Sequence, residues 1–521
     1  MTALQVSNIR VSVTVPPEHL RPRVLEMLHL REEEVQEFRI LRASVDARKK
    51  ADVVYDYRVL IVLKNAKPAL LSHPDVAPYV APAPMEYPAW PHPQRPVVIG
   101  FGPAGMFAAL YLARCGARPI IIERGSRIEQ RRQDVDKFLK TRVLNPDSNV
   151  QFGEGGAGAF SDGKLTTNIH NEHIHFVLEE FYKHGATEDV VYSAAPHVGT
   201  DYLAMVVRNI REEVIALGGE FHFNTCFTDF NTLPDGQVTV ICRDGRQFET
   251  RHVLLCLGHS ARDTIRHLYT KGLQMEAKSF SLGVRVEHLQ RKVDAMQYGR
   301  FAKYLPPASY RGVAHVDGRG VYTFCMCPGG TVMASASEPG TIVTNGMSEK
   351  RRDKANANSA LLVGVDPADF SQGHPLDGLA YQEKYERLAF EIAGDYRAPA
   401  NLVGEFLHGQ VARQWRSVVP SYPHGVAMCD LQRCLPGYVV KALRAAIPQL
   451  ARRMRGFDDP DAVLTGVETR SSSPVRILRD AARRSSVAGL YPVGEGAGYA
   501  GGITSAAIDG LRTAMAVARE R

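Results

Sequence analysis

Apolar residues alternate through Gln5–Val15 (Val6, Ile9, Val11, Val13, Val15), which predicts a strand ended by Pro16-Pro17. Helical spacing follows at Leu20, Val24, Leu25 and Leu28 within Glu18–Leu30. Phe38–Val45 and Val53–Leu63 read as two strands around the basic turn Asp46–Lys50. Eight prolines then fall between Pro74 and Pro96, a density that removes backbone donors and predicts a stiff linker rather than an element. Beyond it, the unbroken apolar runs Val97–Ile99 and Ile120–Ile122 bracket a helical stretch, Met106–Cys115, as buried parallel strands bracket their crossover. Thr200–Leu217 predicts a helix stopped by Gly218-Gly219, with Thr200 or Asp201 as its cap. Glu220–Phe227 and Gln237–Cys242 alternate as strands, Asp244-Gly245 marks a hairpin, and His252–Gly258 is an apolar strand ending in glycine. From about 268 to 485, strand-like runs (Phe280–Val286, Val321–Met326, Val332–Ala336) mix with helical ones (Tyr381–Ala393, Val439–Met454).

This order predicts an α/β chain of three parts: an N-terminal α/β module of ferredoxin-like size (1–72), joined by a Pro-rich linker (73–95) to a Rossmann-like dinucleotide domain. That domain is built from 96–267 and 486–521, with a mixed α+β substrate domain (268–485) inserted between them.

The strongest chemical signal is Gly100-Phe101-Gly102-Pro103-Ala104-Gly105 between its strand and helix. Gly100 permits the tight turn, Gly102 lets backbone approach a pyrophosphate, and Gly105 lets helix and strand pack closely. The helix start at Pro103 and Ala104 offers N–H groups and a partial positive charge to phosphate. Glu123, 23 residues after Gly100 and followed by Arg124, suits an adenosine ribose and argues against a 2′-phosphate, leaving FAD or NAD.

A second device is Gly494-Glu495-Gly496-Ala497-Gly498 leading to Gly501-Gly502-Ile503-Thr504. Its carboxylate suits ribitol hydroxyls, and a helix N-terminus aimed at an isoalloxazine ring stabilises the charge that develops on reduction. Together the two devices favour FAD over NAD. The loop Phe152–Leu165 has five glycines in fourteen residues, including Gly155 and Gly156, so its amides can approach phosphate or a flavin. Ser161 and Lys164 on that loop are candidates to reach flavin N5 or a substrate anion.

With these motifs in view, the chain resembles the two-dinucleotide-binding-motif flavoprotein superfamily of p-hydroxybenzoate hydroxylase and geranylgeranyl reductase. Within it, the chain is similar to a broad bacterial family called uncharacterised FAD-dependent dehydrogenases. The similarity runs over Ser44–Lys50, the fingerprint, Phe152–Gly158, Ser161–Leu165, Cys256–Asp263, Cys325–Gly330, Glu468–Arg470 and the C-terminal Gly-Glu-Gly-Ala-Gly. It implies a Rossmann-like FAD fold, places Gly258 beside the FAD, and puts Glu495 where the superfamily has aspartate.

Cys325 and Cys327 stand two apart on a predicted strand, so their thiols should share a face. They read either as a dithiol exchanging electrons with a flavin, as cavity lining, or as core. Tyr322–Pro328 loosely resembles the aromatic strand motif that lines the cavity of geranylgeranyl reductases. Arg470 and Arg476 among hydroxyls suit an anion or ordinary salt bridging. His259 reads as a proton donor or a packing residue, and no second Cys/His pair marks a metal site.

At 521 residues, 45% hydrophobic and 23% charged, the chain has an ordinary globular composition. A net charge of +7 is too modest to indicate nucleic acid, and the eight scattered cysteines make no disulfide scaffold. With no membrane-length apolar run or signal-peptide pattern, the expectation is a cytoplasmic FAD-dependent oxidoreductase that moves two electrons between a small-molecule substrate and flavin N5. FAD is expected to be non-covalent, with NAD(P)H one candidate reductant that either visits the substrate cavity or delivers electrons through a partner. Alternatives are a flavin-dependent tRNA-modifying enzyme touching RNA through Arg48–Lys50, a monooxygenase, or a flavin/thiol redox sensor with a protein partner docked on 1–72.

Overall fold

The computed structural model describes residues 2–233 and 236–520. Its centre is a five-stranded, wholly parallel sheet in the order 490–492, 253–255, 97–99, 120–122, 220–222. The three central strands are buried on both faces, which is why they read as unbroken apolar runs. Helix Pro103–Arg114 follows the strand 97–99 and is apolar on every side, with Ala104 to Ala113 all buried. It packs against the C-terminal helix Ile503–Arg519 so closely that a Cβ on Gly510 would lie 2.0 Å from the Ala104 carbonyl oxygen. Burying Phe107, Leu110 and Leu112 in the core around this helix contributes roughly 1.5–3 kcal/mol each.

Helix Thr200–Ala216 lies on the same face and begins after Gly199, whose φ is +82°. The expected caps are engaged elsewhere. Thr200 Oγ1 donates to the Ala159 carbonyl at 2.7 Å, and Asp201 Oδ1 accepts from the Lys350 amide at 2.9 Å.

The chain then builds a seven-stranded sheet in the order 313–316, 319–327, 356–365, 280–289, 463–468, 398–402, 426–428. Helices Asp377–Ala393 and Gly437–Ala451 pack on it around a large apolar core. On returning, strand Val475–Ile477 pairs antiparallel with Met275–Ala277, close to the points where the chain left and rejoined the first sheet.

The N-terminal strands Thr2–Ser12, Val35–Asp46 and Val54–Leu63 join Val76–Pro78 in an antiparallel sheet ordered 35–46, 54–63, 2–12, 76–78. That is the strand order of a ferredoxin-like unit, with the second helix reduced to a short 3-10 turn at Pro68–Ser72. Two sequence expectations change here. The proline-rich stretch contributes an edge strand, tolerated because Pro78 sits at its end, where no ladder N–H is needed. The strand 2–12 carries a bulge between Val6 and Ile9, with Asn8 at φ +56°. The extra residue brings Val6, Ile9 and Val11 onto one buried face, although strict alternation would split them. The basic turn is packed on the rest of the molecule: Lys50 Nζ donates to the Gln297 carbonyl and Arg300 Nη2 to that of Ala51. Among the described residues, no helix is long and apolar enough to cross a membrane.

Candidate functional site

At the carboxyl ends of the parallel strands, where open α/β sheets bind ligands, a cavity runs between the two sheets. Gly100 closes the first strand turn at φ +94°, and a Cβ there would lie 2.6 Å from the Cys256 carbonyl oxygen. A Cβ on Gly105 would sit 1.9 Å from the Gly100 oxygen. Gly105, Gly155 and Gly494 are packing positions behind the wall: Gly155 faces Val207 and Ala159, and Gly494 faces Ala104. Gly100, Gly102, Pro103, Ala104, Glu123, Arg124, Gly156, Ser161, Lys164, Gly258, Glu495, Gly501, Gly502 and Ile503 form the lining itself, together with Cys325 and Cys327.

Three of these glycines answer to neither packing nor backbone strain. A Cβ on Gly258, Gly501 or Gly502 would meet nothing within 4 Å among the described residues, and none has a left-handed φ. Side chains there would enter the open space that these glycines border at the cavity. Two helix N-termini, at Gly102–Ala104 and Gly502–Ile503, face the same space with their first-turn amides. Bare glycine walls, two amide-rich helix starts and the carboxylate of Glu123 fit an extended dinucleotide.

Glu123 is 5% exposed and accepts from the amides of Phe101 (2.9 Å), Gly125 (3.0 Å) and Gly153 (3.0 Å), so it ties the fingerprint turn to the glycine loop. That loop is fixed from behind by Arg131, fully buried, which donates to the carbonyls of Asn149, Val150, Gly153, Glu154 and Gly156. Burial lowers its pKa to about 10. Arg124 pairs with Asp263 at 2.9 Å and lies over the Phe152 ring. Ser161 donates to the Gly158 carbonyl, and Lys164 Nζ to that of Met326.

The far wall comes from the seven-stranded sheet, and here the shared-face expectation for the cysteines is corrected. A bulge lies between Phe324 and Cys327, and Cys325 takes φ +45°. The alternation is broken, so Cys325 opens into the cavity while Cys327 is buried, its Sγ 3.3 Å from the Cys325 carbonyl oxygen. Both thiols are free. Burial raises both pKa values, that of Cys327 to about 12, so both are protonated at neutral pH.

Arg285, fully buried, donates to the Cys325 carbonyl at 2.7 Å and faces Glu468 at 3.4 Å. Burial pushes the Glu468 carboxyl up to about 7 against the pull of Arg285, and its Oε2 has no hydrogen-bond partner among the described residues. Arg470 is not a free anion receptor. It holds Glu386 at 2.8 Å and donates to Ser260 and Ser337, while Arg262 grips the same carboxylate at 2.7 Å. Burial opposes ionisation of Glu386, but the two guanidiniums overcome it and hold the carboxyl well below its usual range. Arg476 pairs with Glu276 on the surface.

Periodicity gave no sign of Arg131, Arg262 or Glu386. Arg285 did leave a trace, as the one charge in the apolar strand Phe280–Val286.

A family model described as FAD-dependent protein, C-terminal domain-like, matches residues 279–471, and one described as a domain of unknown function matches 3–62. An uncharacterized protein of Clostridium beijerinckii (strain ATCC 51743 / NCIMB 8052) is 45% identical over 527 residues, covering 98% of both chains. Among solved structures, a variant of the halogenase PltM in complex with FAD aligns over 82% of this chain and 70% of its own, at 10% identity and TM-score 0.39. CtdE in complex with FAD and a substrate aligns over 81% and 80%, at 14% identity and TM-score 0.30. FAD is the cofactor of this chain.

Proposed function

Given that the chain and the Clostridium beijerinckii protein belong to one family, and that residues 279–471 of this chain match the C-terminal-domain-like model of FAD-dependent proteins, we propose a nicotinamide-fed oxidoreductase of the dehydrogenase/reductase type. The observation that carries this reading is the continuity of one cavity, from the fingerprint glycines to the Cys325–Glu468 wall. FAD, when bound, supplies a ring that takes or gives two electrons.

The protein's own contribution is positional and electrostatic. The Gly102–Ala104 helix start would hold the phosphates, and the Gly502–Ile503 helix start would lend positive potential to the ring end. Phe324, Val343 and the protonated thiols make a largely apolar substrate wall. Lys164, Asp162 and Glu468 are among the ionisable groups of the lining, and Glu468, its carboxyl pushed up to about 7 by burial, is suited to exchange a proton with the substrate. Reductant and substrate use the same cavity in turn, since the sequence carries one dinucleotide fingerprint.

Anaerobic mixing with NADH and with NADPH, followed by flavin absorption, tests the proposal. Bleaching by one of them is the expected result. A flavin that dithionite reduces but both nicotinamides leave oxidised contradicts it.

A further inference from the structure

Strand 344–347 pairs with 331–334 and lies against the seven-stranded sheet, where Asn345 lines the cavity, half-buried. Its Oδ1 accepts from the Gly346 amide at 2.8 Å and from Arg285 Nη1 at 3.3 Å. Neither partner can accept, so the oxygen must face them and the orientation of the side-chain amide is settled. Gly346 makes room for this contact: a Cβ there would lie 2.7 Å from Arg285 Nη1. The other end of the amide, Nδ2, has no hydrogen-bond partner among the described residues and is not sealed from the cavity. Lys164, also half-buried in the lining, directs one N–H at the Met326 carbonyl and meets no carboxylate at ion-pair distance among the described residues. The two donors are anchored at adjacent residues of strand 319–327, since Arg285 also donates to the Cys325 carbonyl at 2.7 Å.

We infer that Asn345 and Lys164 seat a carboxylate of the substrate, which is therefore an organic acid with an apolar body. This rests on the FAD reading above, with the inserted sheet as the substrate side of the cavity. The Asn345 oxygen is taken, so both side chains offer N–H donors alone, and the group they meet must be an oxygen acceptor. Charge selects an anion over a neutral carbonyl. The carboxylates around Cys325 are already held, Asp162 by Arg352 at 2.5 Å and Glu468 by Arg285 at 3.4 Å. Lys164 is left as a cation of this wall without a counter-ion among the described residues. Donors in such a place bond an ionised acceptor roughly twice as strongly as a neutral one. Phe324 and Val343 in the same lining suit the apolar body. The helix starts that suit a dinucleotide, at Gly102–Ala104 and Gly502–Ile503, belong instead to the parallel-sheet domain.

The test is titration of full-length, FAD-loaded protein with benzoate and hexanoate and with their neutral amides, benzamide and hexanamide, read by the change in flavin absorption. FAD content and melting are recorded for every variant. At least one acid should bind about tenfold more tightly than its amide. Asn345→Asp keeps an oxygen for Arg285 and the Gly346 amide but turns the free donor into a second oxygen, so it should weaken acid binding about tenfold or more. Lys164→Met should bring the acid down to the affinity of its amide. Acids bound no more tightly than their amides overturn the inference, and so does unchanged acid affinity in either variant. Loss of FAD from Asn345→Asp at parental melting would place the donor on the flavin and also overturns it. If Asn345→Asp does not fold, Lys164→Met, altered outside the inserted sheet, still decides: unchanged acid affinity counts against the inference, and loss of the preference for acid supports it. A parent that holds no FAD after reconstitution contradicts the FAD reading itself. A parent that prefers acids but is not bleached by either nicotinamide leaves the carboxylate seat standing and contradicts only the choice of reductant.

Discussion

Glu386 and Glu468 are both enclosed in the interior, yet their protonation runs in opposite directions because of their neighbours. Two guanidiniums on Glu386 keep it ionised, so Glu386→Gln strands Arg470 as an uncompensated buried charge and leaves Arg262 only the more distant Glu338 and Glu383. A loss of about 3–5 kcal/mol in urea unfolding is expected. Glu468 faces Arg285 and Thr344, and it shares the cavity wall with Asn345, Cys325 and Lys164. Its folded pKa lies near 7, above the usual 4.5, so the folded state holds the proton more tightly than the unfolded state. Its contribution to stability is therefore complete below about pH 4.5 and is lost as pH rises through 7, on the order of 3 kcal/mol. Relative to Glu468→Gln, the parent should lose melting temperature across that window. Parallel pH profiles for the two proteins would refute the raised carboxyl. Neither carboxyl was recognisable in the sequence as buried and paired, because their partners lie roughly 80 to 180 residues away.

Elements were more legible than their details. The strand–glycine–helix unit is visible as a change from unbroken apolar residues to small ones, and the structure builds it at 97–114. The bulges at Asn8 and Cys325 were not visible, since a period-two pattern gives no sign of one extra residue. Glycines within these elements separate into two kinds. Gly105→Ala and Gly510→Ala drive a Cβ into a carbonyl oxygen, so both should lower the melting temperature of the apoprotein. Gly258→Ala and Gly502→Ala meet open cavity and should leave apoprotein melting unchanged while weakening FAD binding tenfold or more. Apoprotein melting lowered equally in all four variants would show that the open positions serve packing after all.

On the scale of the whole molecule, the N-terminal sheet is fastened at two places. The Ala194 amide donates to the Ala43 carbonyl at 2.9 Å, and the Lys50 turn is held against 297–300. Lys50→Ala with Arg300→Ala should speed proteolysis in the proline-rich stretch while FAD stays bound, because neither residue lines the cavity. The proline density announced this connection, but not its edge strand, whose pairing depends on a partner seventy residues earlier. What unites the parts is the cavity between the parallel sheet and the seven-stranded sheet, the space that FAD would fill. The most direct measurement is to denature the purified or FAD-reconstituted protein and identify and count the flavin released. One FAD per chain, set free without proteolysis, is the predicted result. FMN alone, or a protein that stays colourless after incubation with FAD, would contradict it.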